Sequence, residues 1–190
     1  MALSELKSFF IGQQSASEFT KLKAKFALSV NWEGAGFIRT PPEIIDQINE
    51  EAADNLMRLK CHLNLFSFPT VGLLTDWNEV LPEESRLMQD VYADAIVDQV
   101  FPHGRIRISP SILKAIVTEK TGIAHPPPIP LSGILGHEVF HIWQFLHTPQ
   151  QVERDVSTHM SMGIEAWTQT KTEIEAREFE RHWIEFGQTY

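Results

Sequence analysis

The sequence predicts a mostly helical α+β domain with a small β-sheet. Apolar residues recur at spacings of three and four over long stretches, which is typical of amphipathic helices. Three Ser-Pro or Thr-Pro pairs mark helix starts, because proline is favoured in the first turn of a helix. Only short segments alternate as a half-buried strand does. With 190 residues, 43% of them hydrophobic, the chain suits one core, so we expect residues 1–190 to form a single domain.

The front half of the chain is predicted to contain two helices. The Thr40-Pro41 pair marks the start of the first, which should run from Pro42 to about Leu65. Its apolar face consists of Ile45, Ile48, Ala52, Leu56, Leu59 and Leu63. Residues 64–71 are predicted to be extended, and the second helix is predicted from Glu83 to Val100.

A turn and a short strand follow. Residues 101–104 have the composition of a turn, and Arg105 to Ser109 alternate between polar and branched apolar side chains. Either this strand lies at a sheet edge and holds an extended substrate by main-chain hydrogen bonds, or it is only structural. Ser109-Pro110 marks the next helix start. Residues 123–130 contain four prolines and are predicted to be a stiff connector.

The C-terminal part is predicted to be helical. One helix should run from about Leu131 to Leu146, and the Thr148-Pro149 pair marks the start of another. Helical spacing then continues from about Gln150 to Phe186, with a break predicted near Thr168 to Thr172.

Charge and cysteine content limit the classes of function. The chain has 16 Lys and Arg residues against 25 Asp and Glu residues, a formal net charge of -9. A phosphate backbone requires a basic surface, so we expect no nucleic-acid partner. Cys61 is the single cysteine and cannot form a disulfide within the chain. No signal peptide or membrane span is recognisable, so we expect a cytoplasmic protein; the oligomeric state stays open.

Residues 137–141 read His-Glu-Val-Phe-His, a match to the H-E-x-x-H pattern of zinc hydrolases. On a helix, His137 and His141 lie about 40° apart around the axis and about 6 Å along it, so both rings can bind one metal ion. The opposite side of the helix is apolar and consists of Leu135, Val139, Ile142 and Leu146. The pattern therefore predicts a zinc site on this helix.

Glu138 lies about 100° around the helix from His137, beside the metal-binding face. From there a carboxylate can take a proton from a zinc-bound water without binding the metal, and can pass it to the leaving amine of a peptide. Gly136 lowers helix propensity by about 1 kcal/mol relative to alanine. Close approach of a substrate or a strand would explain this glycine, and so would ordinary tight packing.

A catalytic zinc site takes three protein ligands and leaves a fourth position for water, so one ligand must come from elsewhere in the chain. Glu173 and Ala176 form an E-x-x-A pair, which Phe179 follows. Together with H-E-x-x-H, this pattern resembles the short gluzincin-like metallopeptidases, including the ImmA/IrrE type, over about fifty residues from Gly136 to Trp183. The resemblance implies a zincin-like fold, in which the zinc helix packs on the C-terminal helix, and Glu173 as the third ligand. Arg177 stands where such proteins commonly have Asn or Asp, so the resemblance does not identify the group that supports the histidines.

Helical geometry alone leaves the third ligand open. The inward stripe of the last helix consists of Ala176, Phe179, Trp183 and Phe186. Glu175 lies closer to the centre of this stripe than Glu173 does, and Glu165 is a third candidate. His147 or His159 would complete an all-histidine site, although neither has the G-x-x-H continuation typical of that class.

Other roles are assigned by residue type alone. Peptide hydrolysis also needs a hydrogen-bond donor for the oxyanion of the transition state. The candidates for this donor are His159, Arg177, His182 and Tyr190. The large aromatic residues expected in the core are Phe140, Trp143, Trp167, Phe179 and Trp183.

The sequence therefore predicts a zinc metallopeptidase acting on a peptide or protein substrate. In this prediction His137, His141 and Glu173 bind Zn²⁺, and Glu138 is the general base and acid. Two other functions stay open. One is an inactive zincin-like protein whose scaffold binds a regulatory partner, and the other is a zinc hydrolase that acts on a different carbonyl or phosphoryl centre.

Overall fold

The computed structural model of this chain describes residues 16–28, 30, 32, 37, 39–73, 93–122 and 129–187. Its helices are α1 (16–28), α2 (Pro42–His62), α3 (Pro110–Lys120), α4 (Leu131–His147), α5 (Pro149–Met162), α6 (Ile164–Trp167) and α7 (Lys171–Phe186). Its strands are β1 (Thr70–Leu73), β2 (Ala93–Ile96) and β3 (Arg105–Ile108). The protein is therefore mostly helical α+β with a small sheet, as the sequence predicts.

The Ser-Pro and Thr-Pro pairs mark helix starts correctly. Helices α2, α3 and α5 each have proline in the first turn. The C-terminal stretch is broken between α6 and α7, as predicted, and also at Gly163 between α5 and α6. Gly163 has φ +84°, a left-handed conformation that glycine adopts without steric cost, so the break suits this residue. Most of the proline-rich connector, residues 123–128, lies outside the described residues.

The sheet corrects two predictions. Strand β3 lies between its neighbours, parallel to β1 and antiparallel to β2, so it is not the edge strand that a substrate would join. Ile106 and Ile108 on β3 are buried, which explains the alternation seen in the sequence. The helix predicted from Glu83 to Val100 is also wrong from Ala93 onward, because pairing with β3 makes this segment a strand. Residues 83–92 lie outside the described residues.

Helix α4 packs against α7, α2, β2 and β3. Two glycines allow α4 and α7 to approach each other closely. A Cβ atom on Gly136 would lie 2.9 Å from Cδ1 of Trp183, and one on Gly133 would lie 2.6 Å from Cδ1 of Ile184. Close packing of the two helices therefore explains Gly136. The sequence alone does not distinguish this explanation from the close approach of a substrate or a strand.

One hydrophobic cluster includes side chains from α1, α2, β2, β3, α3, α4 and α7. Its fully buried members include Phe26, Ile48, Leu59, Leu113, Leu135 and Trp183. Among the described residues, none of the helices has the length and apolar character that a membrane crossing requires.

Candidate metal centre

His137 and His141 lie one turn apart on α4, with their Nε2 atoms 3.0 Å apart. Their rings meet edge to face, with centroids separated by 4.7 Å. On the opposite side of α4, Leu135, Val139 and Ile142 are buried. Leu146 was predicted to join them but is 47% exposed, because it lies in the last turn of the helix. The two histidines thus share one face of a helix that is otherwise anchored in the core.

Glu173 on α7 lies against both rings. Its Oε2 atom is 3.3 Å from Nε2 of His141 and 3.6 Å from Nε2 of His137. Glu173 is 6% exposed, and the three residues offer ligand atoms that all lie within 4.8 Å of one another. The structure therefore brings together the three residues that the sequence analysis names as metal ligands.

The first turn of α7 is held from two sides, which sets the position of Glu173. Thr170 caps the helix, and its Oγ1 accepts a hydrogen bond from Glu173 N at 3.3 Å. Asp155 on α5 accepts bonds from the backbone N–H of Thr172 at 3.0 Å and from its hydroxyl. Burial by itself raises the pKa of Asp155, but these bonds outweigh it and hold that pKa below its usual value. A carboxylate at the positive end of a helix also stabilises that helix.

The three ligand atoms have the spacing that tetrahedral zinc requires. Zn–N and Zn–O bonds of about 2.0–2.1 Å at tetrahedral angles place neighbouring ligand atoms about 3.3–3.4 Å apart. The separations between the three atoms, 3.0, 3.3 and 3.6 Å, bracket that value. Two imidazoles and one carboxylate are also ligands that zinc accepts. The residues present therefore fit a zinc ion with one position left open.

Gln144 fixes the tautomer of His141. The Gln144 Nε2 atom donates to the Thr172 carbonyl oxygen at 3.0 Å and to Oε2 of Glu175 at 3.2 Å. The other end of this amide, Oε1, must then accept a bond from His141 Nδ1, which lies 2.9 Å away. His141 consequently has its proton on Nδ1, and Nε2 keeps a lone pair directed at His137 and Glu173.

Glu180 does the same for His137. Its Oε2 atom lies 3.0 Å from His137 Nδ1, and a carboxylate can only accept there, so Nδ1 bears a proton. In the neutral state, both histidines would then direct Nε2 lone pairs at each other across 3.0 Å. Such an arrangement is repulsive unless a proton or a metal cation lies between the rings. The arrangement therefore requires a proton or a metal cation between the two rings.

The pKa shifts agree with that conclusion. Burial by itself lowers the pKa of His137, but hydrogen bonds to Glu173 and Glu180 outweigh it and raise that pKa to about 10. Burial by itself raises the pKa of Glu173, but the two histidines outweigh it and hold that pKa far below its usual range. Without metal, a proton on His137 therefore occupies the position that suits a metal ion.

Glu138 lies beside the cluster without joining it. It is 6% exposed, and burial raises its pKa to about 7, an effect that the nearby His137 and His141 partly offset. The charges of Asp94 and Glu173 add to the increase. A carboxylate with a pKa near neutrality can both accept and return a proton, which is what a general base and acid requires.

A cavity of about 790 Å³ opens beside these groups. Its polar wall includes His137, Glu138, His141, Glu173, Glu180 and Arg177. Its apolar wall includes Ala93, Ala95, Ile134, Phe145, Val152, Val156 and Trp167. Arg177 Nε donates at 2.8 Å to Oε1 of Glu173, whereas Oε2 is the oxygen that lies near the histidines. Arg177 therefore holds the carboxylate in this orientation. Strand β2, which pairs only with β3 within the described part of the chain, forms part of the wall, so an extended chain in the cavity would lie next to it.

The other candidate ligands lie outside the cluster. Glu175 contacts Gln144 and Lys171, and Glu165 is exposed on α6. His147 is exposed and its Nδ1 bonds to the carbonyl oxygen of Trp143. His159 lines the cavity but does not belong to the cluster.

The structure also separates the candidates for an oxyanion donor. Arg177 and His159 line the cavity, whereas His182 is exposed and does not, and Tyr190 lies outside the described residues. Of the aromatic residues predicted to be core, Trp183 is 2% exposed. Trp167 was predicted to be core, but it forms part of the cavity wall, with its ring centroid 6.0 Å from that of His141.

Sequence reasoning missed Gln144 and Glu180, which support the two histidines. Gln144 lies three residues after His141, and Glu180 lies two turns after Glu173, so both share a face with the metal cluster. These spacings are the only sequence signal for the two residues, and many polar residues on exposed helix faces have the same spacings. Only the approach of α4 and α7 distinguishes them.

Comparisons with protein-family models, curated proteins and solved structures found no match for this chain.

Proposed function

We propose that the protein is a zinc-dependent metallopeptidase, of the gluzincin-like kind that its sequence motifs resemble. The strongest support is the convergence of two Nε2 lone pairs and one carboxylate oxygen at the spacing of a zinc coordination shell. Both histidines are also held in the required tautomer by Glu180 and Gln144. Support of this kind is characteristic of metal-binding histidines and has no evident use on an ordinary helix face.

In this proposal His137, His141 and Glu173 hold the ion. Bound zinc supplies Lewis-acid chemistry, lowering the pKa of water toward about 7 and polarising a carbonyl oxygen. Glu138 takes the proton of the attacking water on its carboxylate and returns it to the leaving nitrogen. Arg177 keeps Glu173 oriented by bonding to its Oε1 atom.

A peptide substrate is favoured by the wall of the cavity. Strand β2 pairs with β3 on one side only among the described residues, and it borders the cavity beside Glu138. An extended peptide can add to such an edge by main-chain hydrogen bonds, whatever its sequence. The proposal includes a cytoplasmic location, which a chain with one cysteine and no need for a disulfide permits.

Glu138→Gln tests the chemistry directly. Glutamine has nearly the same shape but cannot accept the proton, so we expect kcat to fall by about 10²- to 10⁴-fold while zinc still binds. The assay is turnover of an internally quenched peptide library by the zinc-loaded protein, with zinc quantified in the same sample. Glu165→Gln, on the exposed side of α6, is the matched control and should keep full activity. Wild-type turnover by the zinc-loaded Glu138→Gln variant would remove the mechanism.

A second function has one specific observation in its favour. A proton on His137 satisfies the cluster without any metal, since its pKa of about 10 keeps the ring charged at neutral pH. A protein that uses this scaffold only to bind a partner would therefore be stable without zinc. Equilibrium dialysis against buffered zinc distinguishes the two functions: the peptidase takes up one ion per chain, and the metal-free scaffold takes up none.

A further inference from the structure

His159 is a titratable residue of the cavity for which the mechanism above has no use. It lies on α5, and its ring meets that of Trp167 edge to face, with centroids 5.7 Å apart. Trp167 also contacts His141, with ring centroids 6.0 Å apart. His159 therefore lies on the same side of the cavity as the metal ligand His141, separated from it by one indole ring.

The two nitrogens of His159 have different surroundings. Nδ1 is buried and has no hydrogen-bond partner among the described residues. The ring is only partly buried and lines the cavity, so Nε2 is the nitrogen open to it. A buried N–H without a partner is rarer and more costly than a buried lone pair without one. The neutral ring should therefore have its proton on Nε2, where it becomes a hydrogen-bond donor facing the cavity.

The position of this donor is fixed relative to the metal ligands. Asp155, one turn before His159 on α5, binds both the backbone and the hydroxyl of Thr172 at the start of α7. Thr172 directly precedes Glu173. Helix α5 is thus tied to the turn that presents the third ligand, and His159 is held by the same attachment.

Besides His159, the residues of α5 and α6 that line the cavity are Val152, Val156 and Trp167, and none of their side chains offers a strong acceptor for Nε2. Thr168 and Thr172 line the cavity just beyond α6. A donor in a largely apolar wall orients a bound molecule, because any acceptor placed there without a partner loses its hydrogen bonds to water.

We propose that His159 is a substrate-binding residue whose Nε2–H donates a hydrogen bond to a main-chain carbonyl oxygen of the bound peptide. This rests on the proposed peptidase function. Main-chain carbonyls are the acceptor that every peptide offers, so the contact positions the substrate without restricting its side chains.

Two hydroxamates test this in the zinc-loaded, full-length protein. Acetohydroxamate has only the metal-binding group, whereas N-acetyl-Phe-Leu hydroxamate adds peptide carbonyls. We expect His159→Phe, which keeps the ring shape but lacks a donor, to weaken the peptidyl compound by roughly three- to tenfold and to leave acetohydroxamate unchanged. His159→Gln places an amide N–H near the position of Nε2 and should restore most of the affinity. His159→Asn places its N–H near Nδ1 and should not.

The possible failures are distinguishable. If acetohydroxamate does not bind the wild-type protein, the metal centre itself is wrong and this inference falls with it. If it binds, but His159→Phe binds the peptidyl compound as tightly as the wild type does, His159 has no role in substrate binding. Nitrogen-15 NMR of the wild-type imidazole needs no variant: a proton on Nε2 is the expected result, and a proton on Nδ1 would overturn the assignment.

Discussion

The interface between α4 and α7 has an apolar half and a polar half, which differ in how they are built. In the apolar half, Gly133 and Gly136 let Ile184 and Trp183 approach the α4 backbone, and shape alone sets the spacing. In the polar half, the buried His141 and its neighbours have their polar atoms paired. The apolar half sets the distance between the helices, and at that distance the polar half brings Nε2 of both histidines and Oε2 of Glu173 within 3.6 Å of one another.

The largest expected effect comes from Glu173→Gln in the polar half. The amide has no charge and is a poor zinc ligand, so we expect zinc affinity to fall by more than about 100-fold. Competition with a chromophoric chelator measures it. Glu178→Gln, on the exposed face of the same helix, is the control and should bind zinc as the wild type does. Equal affinities of the two variants would mean that Glu173 is not a ligand.

The second effect is a pH dependence of zinc binding. His137 has a pKa of about 10 without metal and must lose its proton to bind zinc, so uptake near pH 8.5 should release the His137 proton in addition to any proton that a zinc-bound water loses. Between about pH 8 and 9.5, affinity should then rise by about tenfold or more per pH unit. Calorimetry in buffers of different ionisation enthalpy measures the released protons. Zinc uptake without proton release would contradict the pairing of His137 with its two carboxylates.

The free energy of unfolding of the metal-free protein should also depend on the protonation of His137. The pKa of His137 is raised on folding, so its contribution is fully present below the unfolded value of about 6.5. That contribution is lost as the pH rises through about 10. Denaturant unfolding of the metal-free protein should therefore show stability falling over this range.

The smallest expected effect on the metal centre comes from the apolar half. Gly136→Ala places a methyl group 2.9 Å from the rigid Trp183 ring, and we expect a loss of about 1–3 kcal/mol in the free energy of unfolding. Gly133→Ala meets the flexible end of Ile184 and should cost less. Zinc affinity should change less than tenfold in both. A larger loss of zinc affinity in Gly136→Ala than in Glu173→Gln would abolish the division between the two halves.

The site could be predicted from sequence where its chemistry is local. The histidines of α4 lie one turn apart on a strongly patterned helix, and helical geometry is enough to bring them together. Glu173 is predicted to be the third ligand only through the resemblance to a family. Helical geometry by itself favours Glu175, which lies nearer the centre of the apolar stripe of α7. In the structure, Thr170 caps the start of α7 through a local bond to Glu173, and Asp155 on α5 binds Thr172. Only the bond of Asp155 depends on packing between distant parts of the chain.

The remainder depends on contacts between distant parts of the chain. Ala95 and Ile96 continue the helical spacing of Leu87 and Val91, yet pairing with β3 makes residues 93–96 a strand. Propensity over four residues is too weak to oppose such pairing. Glu180 was not predicted for the same reason, because its bond to His137 joins two helices and leaves no local pattern. Gln144 bonds to His141 within α4, and only its contacts with Thr172 and Glu175 on α7 distinguish it from other polar residues at that spacing.

X-ray absorption at the zinc edge tests the central claim most directly. The full-length protein, loaded with one equivalent of zinc, should show a four-coordinate shell of nitrogen and oxygen at about 2.0–2.1 Å, with the scattering of two imidazoles. A shell that contains sulfur from Cys61, a shell without imidazole, or failure to retain zinc would contradict a centre built from His137, His141 and Glu173.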